Sequence, residues 1–458
     1  MSDSTTPQSV LFPELFSKPL IATFDQPQAS SDGGAVLLRA ADKRLGLTEN
    51  LTAAMTDSRQ SGKVTHALGE LLSQRVFGIA AGYPDCNDIT RLADDPILKL
   101  LVHDDVASDR TFGSQSTLSR FENSLSRTDL YRLGLALAET VVERQRDRLR
   151  GRAKRITIDL DPTDTATFGE QQLTFFNAHY DNYCYLPTLG FITFDHEREQ
   201  YAFAALLRPG NVGAARGAQG ILRRTFALLR KAFPKAIIRV RLDGGFASDE
   251  MFSSFESEKV DFLAGMAENK VLAVKAEALR KQAKRAAEQT GKTEQFFGEC
   301  RYAAKSWGPR RRRVIIKAEV VHADGRMPKE NTRFVVTNLK HSPEEIYRVD
   351  YCGRGEVENR IKELKDLRID RMSCTNFKAN QFRLILTIAA FALVQEIRAR
   401  IARTALGRAQ VWTLREKLFK IAAHVVSSAR RLVIHFAQNC AATEAWCSAA
   451  RSLGAVSG

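Results

Sequence analysis

Four polar residues in the last third of the chain have the spacing to act together. Tyr351, Arg354, Glu358 and Lys365 lie at offsets 0, +3, +7 and +14, and we call them the polar tetrad. On a helix at about 100° per residue, these offsets fall within an arc of about 60°. A carboxylate flanked by a guanidinium, an ammonium and a phenol suits a phosphate held through a metal ion. The competing interpretation is a solvated helix face with i,i+3 and i,i+4 charge pairs.

Two glycines allow two different starting positions for this helix. Gly353 and Gly355 lie inside the proposed helix and cost it about 1 kcal/mol each. The helix can therefore begin before Tyr351 or only at about Glu356. The later start weakens the shared face for the first two members of the tetrad and leaves the last two unaffected.

Aspartates follow two stretches that are typical of β-strands. Residues 155–161 are rich in β-branched side chains, and residues 236–242 run into Asp243-Gly-Gly. Asp159 and Asp161 lie on one strand face because strand side chains alternate, so either can be the acidic residue that acts. Without other information, an aspartate before two glycines is more often a turn residue than a ligand.

The surrounding pattern predicts three strands, a helix and a fourth strand. Aspartates end the first and the last of these strands. The predicted strands are 155–161, 186–194, 200–207 and 236–242, with a helix at about 214–233 and a short extended piece at 172–176.

The polar tetrad resembles the Y-(2)-R-(3)-E-(6)-K signature of a group of bacterial insertion-sequence transposases with a DDE catalytic domain. Asp161-Pro-Thr and Asp243-Gly-Gly-Phe resemble the D-x-T and D-x-G-F elements of the same group. The resemblance implies a mixed α/β fold. A ribonuclease-H-like catalytic domain would carry a β-rich insertion, with α-helical regions before and after it. In that fold the first and fourth strands are neighbours.

The resemblance also implies the residues of the active site. Asp161, Asp243 and Glu358 would be catalytic and would hold two Mg²⁺ or Mn²⁺ ions, for which carboxylate oxygens are suitable ligands. Asp159 remains the alternative to Asp161 as the first ligand.

Three members of the tetrad would contact DNA in such an enzyme. Arg354 would grip a phosphate, and Lys365 would hold the strand on the other side of the scissile bond. Tyr351 would hydrogen-bond a phosphate or stack on a sugar, with a packed tyrosine as the alternative.

A second candidate for DNA contact is the basic stretch 301–317, which contains seven basic residues and no acidic residue. Trp307 lies beside Gly-Pro and is followed by Arg310 and Arg311. The arginines suit phosphates, and the indole suits an exposed base. In relatives, a tryptophan of the insertion can receive such a base. A core tryptophan is the alternative for Trp307.

The implied function is binding of the element's terminal inverted repeats, metal-dependent cleavage and strand transfer into target DNA. A homodimer in a synaptic complex would bring the DNA ends together. Two alternatives stay open: a ribonuclease-H-like nuclease without strand transfer, and a catalytically silent DNA-binding protein descended from a transposase.

Composition agrees with a polyanionic partner. The 458 residues include 68 Lys and Arg against 53 Asp and Glu, which gives a net charge of +15. The longest apolar run is too short to cross a bilayer, and the N-terminus does not read as a signal peptide. The 7 scattered cysteines suggest neither disulfides nor a zinc site. We therefore expect a cytoplasmic, nucleoid-associated protein without membrane contact.

The expected domain organisation follows these changes of pattern along the chain. The regions are a flexible tail at 1–29, an α-helical DNA-binding or dimerisation region at 30–150, the catalytic domain at 151–262 and 340–375, a β-rich insertion at 263–339, and a basic α-helical region at 376–458.

Overall fold

The computed structural model describes residues 10–12, 17–18, 20–106, 110–323 and 325–456. The chain divides into two compact units. The terminal unit comprises the described residues within 1–41, 65–118 and 397–458, and the sheet unit comprises 42–64 and 119–396. Much of the predicted tail, at residues 1–9, 13–16 and 19, lies outside the described residues. In the part of the tail that is described, Val10–Phe12 pairs with Leu20–Ala22 as an antiparallel ladder.

Eight strands build the central sheet of the sheet unit. The strands are β1 Arg155–Pro162, β2 Thr188–Phe194, β3 Tyr201–Leu206, β4 Ile237–Leu242, β5 Asp261–Met266, β6 Glu294–Tyr302, β7 Arg312–Val321 and β8 Lys329–Thr337. Their order across the sheet is β6-β7-β8-β5-β4-β1-β2-β3. β4 runs parallel to β1 and β5, and the other neighbouring pairs are antiparallel.

The order of the first four strands agrees with the sequence prediction. β1, β2 and β3 are consecutive neighbours, and the chain returns through a helix to place β4 beside β1. The mixed α/β prediction is therefore confirmed, and the sheet is consistent with a DDE transposase domain. β5 was not predicted. The strands of the expected insertion, β6 to β8, extend this same sheet beyond β5.

Helices make up much of both units, and those of the sheet unit flank the sheet. They are α1 Val36–Leu45, α2 Leu47–Ala53, α3 Leu68–Ala81, α4 Asp88–Leu92, α5 Pro96–Val102, α6 Gln115–Ser124, α7 Arg127–Leu149, α8 Ala218–Ala232, α9 Asp249–Ser257, α10 Lys270–Thr290, α11 Gly355–Asp366, α12 Phe377–Arg400, α13 Val411–Leu414 and α14 Thr443–Ser452. In the described ranges, none of them has both the length and the apolar character needed to cross a bilayer.

The local sequence explains the start of α7 at Arg127. The hydroxyl of Ser126 accepts a hydrogen bond from the Asp129 N–H at 3.1 Å, and the Asp129 carboxylate accepts one from the Ser126 N–H at 3.0 Å. This reciprocal capping satisfies two backbone donors that a helix start otherwise leaves exposed. Between residues 33 and 149, the regular elements in the described part of the chain are helices.

The prediction of a wholly helical chain after Asn376 is wrong for residues 423–436. α12 is helical as expected, but Ala423–Ser427 and Leu432–Phe436 form an antiparallel hairpin in the terminal unit. The β-branched residues at 425–426 and 433–434 favour a strand over a helix. Ala29–Ser30 pairs with the first strand of this hairpin.

Buried charges tie β4 to β1 and to the chain before α11. Arg241 donates to both carboxylate oxygens of the fully buried Asp159, at 2.8 and 2.7 Å. It also donates to the carbonyl of Asp350 at 3.1 Å, and Arg239 pairs with the Asp350 carboxylate. We call these residues the buried charge ladder. Because a buried charge without its partner is costly, the ladder couples the strand register to the position of residue 350.

Arg241→Met should be strongly destabilising, because it leaves the Asp159 carboxylate buried without its cation. We expect a loss of about 3–5 kcal/mol in the free energy of unfolding, measured by denaturant titration. Lys281→Met is the control, since it removes an exposed pair with Glu277 at 3.2 Å and should cost less than about 0.5 kcal/mol. Equal losses for the two variants would contradict a stabilising role for the ladder.

Candidate active site

Asp161 and Asp243 lie at the ends of neighbouring parallel strands. The register of β1 and β4 sets Asp159 opposite Arg241, and each of the two aspartates comes two residues further on. Because strand side chains alternate between faces, both point to the same face as the buried charge ladder. Their side chains are 14% and 29% exposed, so the acids are recessed but reachable.

Asp243 is both a turn residue and a member of this pair. Its Oδ1 accepts a hydrogen bond from the N–H of Gly245 at 2.8 Å, and Gly244–Phe246 forms a single 3₁₀ turn. Phe246 is fully buried and holds the turn against the core. The turn thus fixes one carboxylate oxygen of Asp243 and leaves the other for contacts across the site.

Arg354 connects the two aspartates. Its Nη2 contacts Asp161 Oδ1 and lies 3.6 Å from Asp243 Oδ2. The guanidinium is only 20% exposed, so it is an internal counterion and not a solvated side chain. Two carboxylates that would repel each other are held together by one cation.

The chain leading to Arg354 is helical but irregular. Ile346–Tyr351 is a π-helical stretch, Cys352–Arg354 is a 3₁₀ turn, and the regular α-helix begins at Gly355. The uniform spacing of 100° per residue therefore does not run from Tyr351 to Lys365, because the three residues Cys352–Arg354 turn more tightly than an α-helix. The later helix start, which the sequence left open at about Glu356, is close to the observed one.

Packing against Arg241 explains why position 353 in this irregular stretch is a glycine. A Cβ at this position would overlap Nη1 of Arg241. The missing side chain lets the helical stretch lie directly on the arginine of the buried charge ladder. Gly353 therefore has a packing reason that the sequence alone did not reveal.

The electrostatics of the pair centre on Asp161. Burial raises the pKa of its carboxyl to about 6, the Arg354 cation opposes that rise, and the charges of Asp243, Asp159 and Glu358 add to it. Glu358, on the first turn of α11, is thus close enough to affect Asp161. The site concentrates negative charge around one recessed carboxyl group, which favours the arrival of a cation.

Two of the three expected acidic residues are placed to hold a metal ion. The carboxylates of Asp161 and Asp243 offer hard oxygen donors, and they already share one cation, the Arg354 guanidinium. Glu358 is exposed and is not gathered with them. Across the described ranges, no three Asp, Glu, His or Cys side chains form a group that could hold a metal ion. The chemistry of the two carboxylates suits a divalent ion, and any further ligand would have to come from a residue that now lies apart from them.

Asp159, the alternative first metal ligand, is already paired with Arg241. Both of its oxygens accept hydrogen bonds from Arg241, and the residue is fully buried. A metal ion at Asp159 would have to break the ladder. The geometry therefore favours Asp161 over Asp159.

The remaining members of the tetrad differ in exposure. Lys365 is exposed on α11, two turns beyond Glu358. Tyr351 is half-buried: its hydroxyl fills the space beside Gly265, and its ring centroid lies 5.7 Å from that of Tyr347. Burial raises the pKa of the Tyr351 phenol. These contacts favour the packed-tyrosine alternative for Tyr351.

Trp307 lies in the core and not on the surface. It is 4% exposed, with its ring against Phe252 and Tyr302 at centroid distances of 5.4 and 5.5 Å. This position favours the core-tryptophan alternative, because the indole would have to leave its packing to stack on a base. Arg310 and Arg311 are exposed in the following turn, where they can reach an external phosphate.

The sequence analysis missed the residues that support the acids. Arg239, Arg241 and Asp350 carry no motif, although two arginines on one face of a buried strand are a signal of buried ion pairing. That signal shows that partners must exist, but it does not say which acidic residues they are.

The raised pKa of Asp161 predicts a stability that depends on pH. Its pKa rises from 3.8 to about 6 on folding, so stability falls as pH rises through this interval. Asp161→Asn removes this cost. In EDTA, we expect the free energy of unfolding of the variant, relative to that of the wild type, to rise by on the order of 2 kcal/mol between about pH 4 and pH 7. Thermal unfolding across this range measures the difference, with Glu356→Gln as the control. A stability difference between variant and wild type that does not change with pH would contradict the raised pKa of Asp161.

Comparison with known families agrees with the geometry of this site. The family model described as "Transposase DDE domain group 1" matches residues 12–457, nearly the whole chain. No curated protein matches the sequence. Since the match covers nearly the whole chain, the chain belongs to the family of DDE-domain transposases, group 1.

Proposed function

We propose that the chain is a transposase of the Y-R-E-K insertion-sequence group. It binds the terminal inverted repeats of its element, cuts the DNA at the element end and joins the freed 3′-hydroxyl to target DNA. The observation that carries this proposal is the meeting of Asp161 and Asp243 at adjoining strand ends, bridged by Arg354, in a chain of the DDE transposase family.

In the proposed mechanism, Asp161, Asp243 and Glu358 would hold two Mg²⁺ or Mn²⁺ ions. Such ions, when bound, activate the attacking oxygen and stabilise the departing one. The two aspartates are already fixed, Asp161 by β1 and Asp243 by its turn. Glu358 is the residue that must move toward them, and its exposed position on the first turn of α11 leaves room for that movement.

Arg354 has two roles in this proposal. In the structure it neutralises the aspartates, and in the complex with DNA it would turn toward a phosphate of the scissile strand. A guanidinium can pair with a phosphate in the same fork geometry that it uses with a carboxylate. If a DNA phosphate replaced the aspartate carboxylates, the charge of the Arg354 guanidinium would therefore stay paired.

The charge of the chain supports DNA as the partner. The net charge of +15 favours binding to a polyanion, and Lys365, Arg310 and Arg311 are exposed cations that suit phosphates. Because an element has two ends, a homodimer that holds both ends in one synaptic complex is part of the proposal.

The two alternatives make different predictions. A ribonuclease-H-like nuclease would cut the element end but would not join it to a target plasmid. A silent DNA-binding protein would bind the end without cutting it at any Mg²⁺ or Mn²⁺ concentration. Cleavage of labelled element ends and their joining to plasmid DNA, measured together, therefore separate all three functions.

Glu358→Gln should abolish cleavage without abolishing DNA binding. The amide keeps the size of the side chain and removes the charge that would hold a metal ion. On a duplex ending in the element's inverted repeat, with Mg²⁺, we expect cleavage to fall by about 10²-fold or more. Binding, measured by fluorescence anisotropy, should remain close to that of the wild type.

Glu356→Gln is the matched control for this experiment. Glu356 is an exposed glutamate on the same turn of α11, and its carboxylate accepts a hydrogen bond from the nearby Asn359 amide at 3.3 Å. We expect this variant to cut like the wild type. If both variants cut as well as the wild type, Glu358 is a surface charge and the proposed active site is wrong.

A further inference from the structure

A small aromatic sheet follows the first candidate acid directly in the chain. Thr165–Ala166, Asn182–Tyr185 and Phe175–Asn177 pair antiparallel in that spatial order, and we call residues 165–185 the aromatic hairpin. Its rings are unusually exposed for apolar side chains. The exposed fractions are 89% for Phe168, 58% for Tyr183, 49% for Phe176, 39% for Phe175 and 36% for Tyr180. Large apolar groups clustered on a surface mark a binding site more often than chance exposure.

The hairpin lies beside the candidate active site. It starts four residues after Asp161. Burial raises the pKa of the Tyr180 phenol, and the charges of Asp164, Asp161 and Asp243 add to that rise. A ligand that brings a phosphodiester to the two aspartates would therefore pass close to these rings.

The base of the hairpin is held firmly, so its rings form a defined surface. The Asn177 side-chain amide donates to the carbonyl of Gly210 at 2.7 Å, and a Cβ on Gly210 would overlap the carbonyl oxygens of Cys184 and Phe175. On the other side, the Gln172 N–H donates to the carbonyl of Thr375 at 3.0 Å, just before α12. On the surface itself, the Phe176 and Tyr183 rings meet edge to face with centroids 5.6 Å apart.

The charge of the hairpin limits what it can bind. The chain has 68 Lys and Arg in total, yet residues 165–185 contain none, while Glu170 and Asp181 are acidic. Such a surface repels phosphates and cannot follow a DNA backbone. It can bind a flat, uncharged group by its π faces, and in DNA that group is the base.

We propose that the aromatic hairpin stacks on unpaired bases of the DNA strand next to the cleavage point. The aspartates are recessed, so the scissile phosphate must leave the regular duplex path to reach them, and the neighbouring bases lose their own stacking partners. The hairpin replaces that lost stacking on the side of Asp161. This inference rests on the proposed function, because it takes the strand at the site to be DNA.

The test compares two DNA duplexes in EDTA, so that neither is cut. One has a short unpaired stretch with 2-aminopurine at the element end, and the other is fully paired. The variant F176L/Y183L keeps apolar bulk but removes both π faces. We expect its preference for the unpaired duplex to fall about fivefold or more, with loss of the fluorescence quenching that stacking produces. Affinity for the paired duplex should stay unchanged.

Two further variants make the test specific. F176Y/Y183F exchanges the rings but keeps both π faces, so it should retain the preference and the quenching. Phe24→Leu removes a ring that is 94% exposed outside the hairpin and should have no effect. Thermal unfolding of each variant checks that it is folded.

Three outcomes would overturn the proposal. One is a preference that F176L/Y183L retains in full, and another is a wild type with no preference for unpaired DNA. The third is a variant with unchanged DNA preference but altered mass by light scattering, which would make the hairpin a contact between copies of the chain. Failure of the proposed function is seen separately, as absence of cleavage by the wild type with Mg²⁺.

Discussion

The buried ion pair between Arg241 and Asp159 is the interaction on which the candidate site depends. Asp159 is fully buried, so its charge is tolerated only with Arg241 in place. The same arginine binds the carbonyl of Asp350, and Gly353 leaves the space that it occupies. The strand pairing of β1 with β4 and the placement of the irregular helical stretch are therefore one coupled arrangement.

The side chains of the candidate active site lie next to the buried charge ladder. Two residues beyond Asp159 and Arg241, the two strands present Asp161 and Asp243. In the helical stretch, Arg354 follows Asp350 by one turn and reaches both aspartates. The ladder thus separates two tasks: its own charges are buried and structural, while the next row of charges is recessed but reachable and has a carboxyl group with a raised pKa.

Much of the strand and helix pattern could be predicted, because it depends on local periodicity. The alternation in 155–161 and 236–242 predicted β1 and β4, and the strand ends predicted the two aspartates. β5 has the small residues Ala264 and Gly265 at its centre and lacks a clear alternation, so it was missed. The hairpin at 423–436 was missed because the long α12 before it suggested a continuing helical region.

The details of the site could not be predicted because they depend on contacts between distant residues. Gly353 seemed to argue against a helix, and only the position of Arg241 explains it. Trp307 stood in a basic stretch that suggested exposure, yet Phe252 and Tyr302 bury it. The choice between Asp159 and Asp161 also depended on a partner, because both have the same chemistry and the same strand face, and only one of them pairs with Arg241.

The most direct test of the central claim is to locate manganese by anomalous X-ray scattering in crystals grown with Mn²⁺ and a DNA end. We predict a peak between the carboxylates of Asp161 and Asp243, with the Arg354 guanidinium moved away from them toward a phosphate. Manganese bound elsewhere, with Arg354 still bridging the two aspartates, would contradict the assignment of this pair as the metal-binding centre.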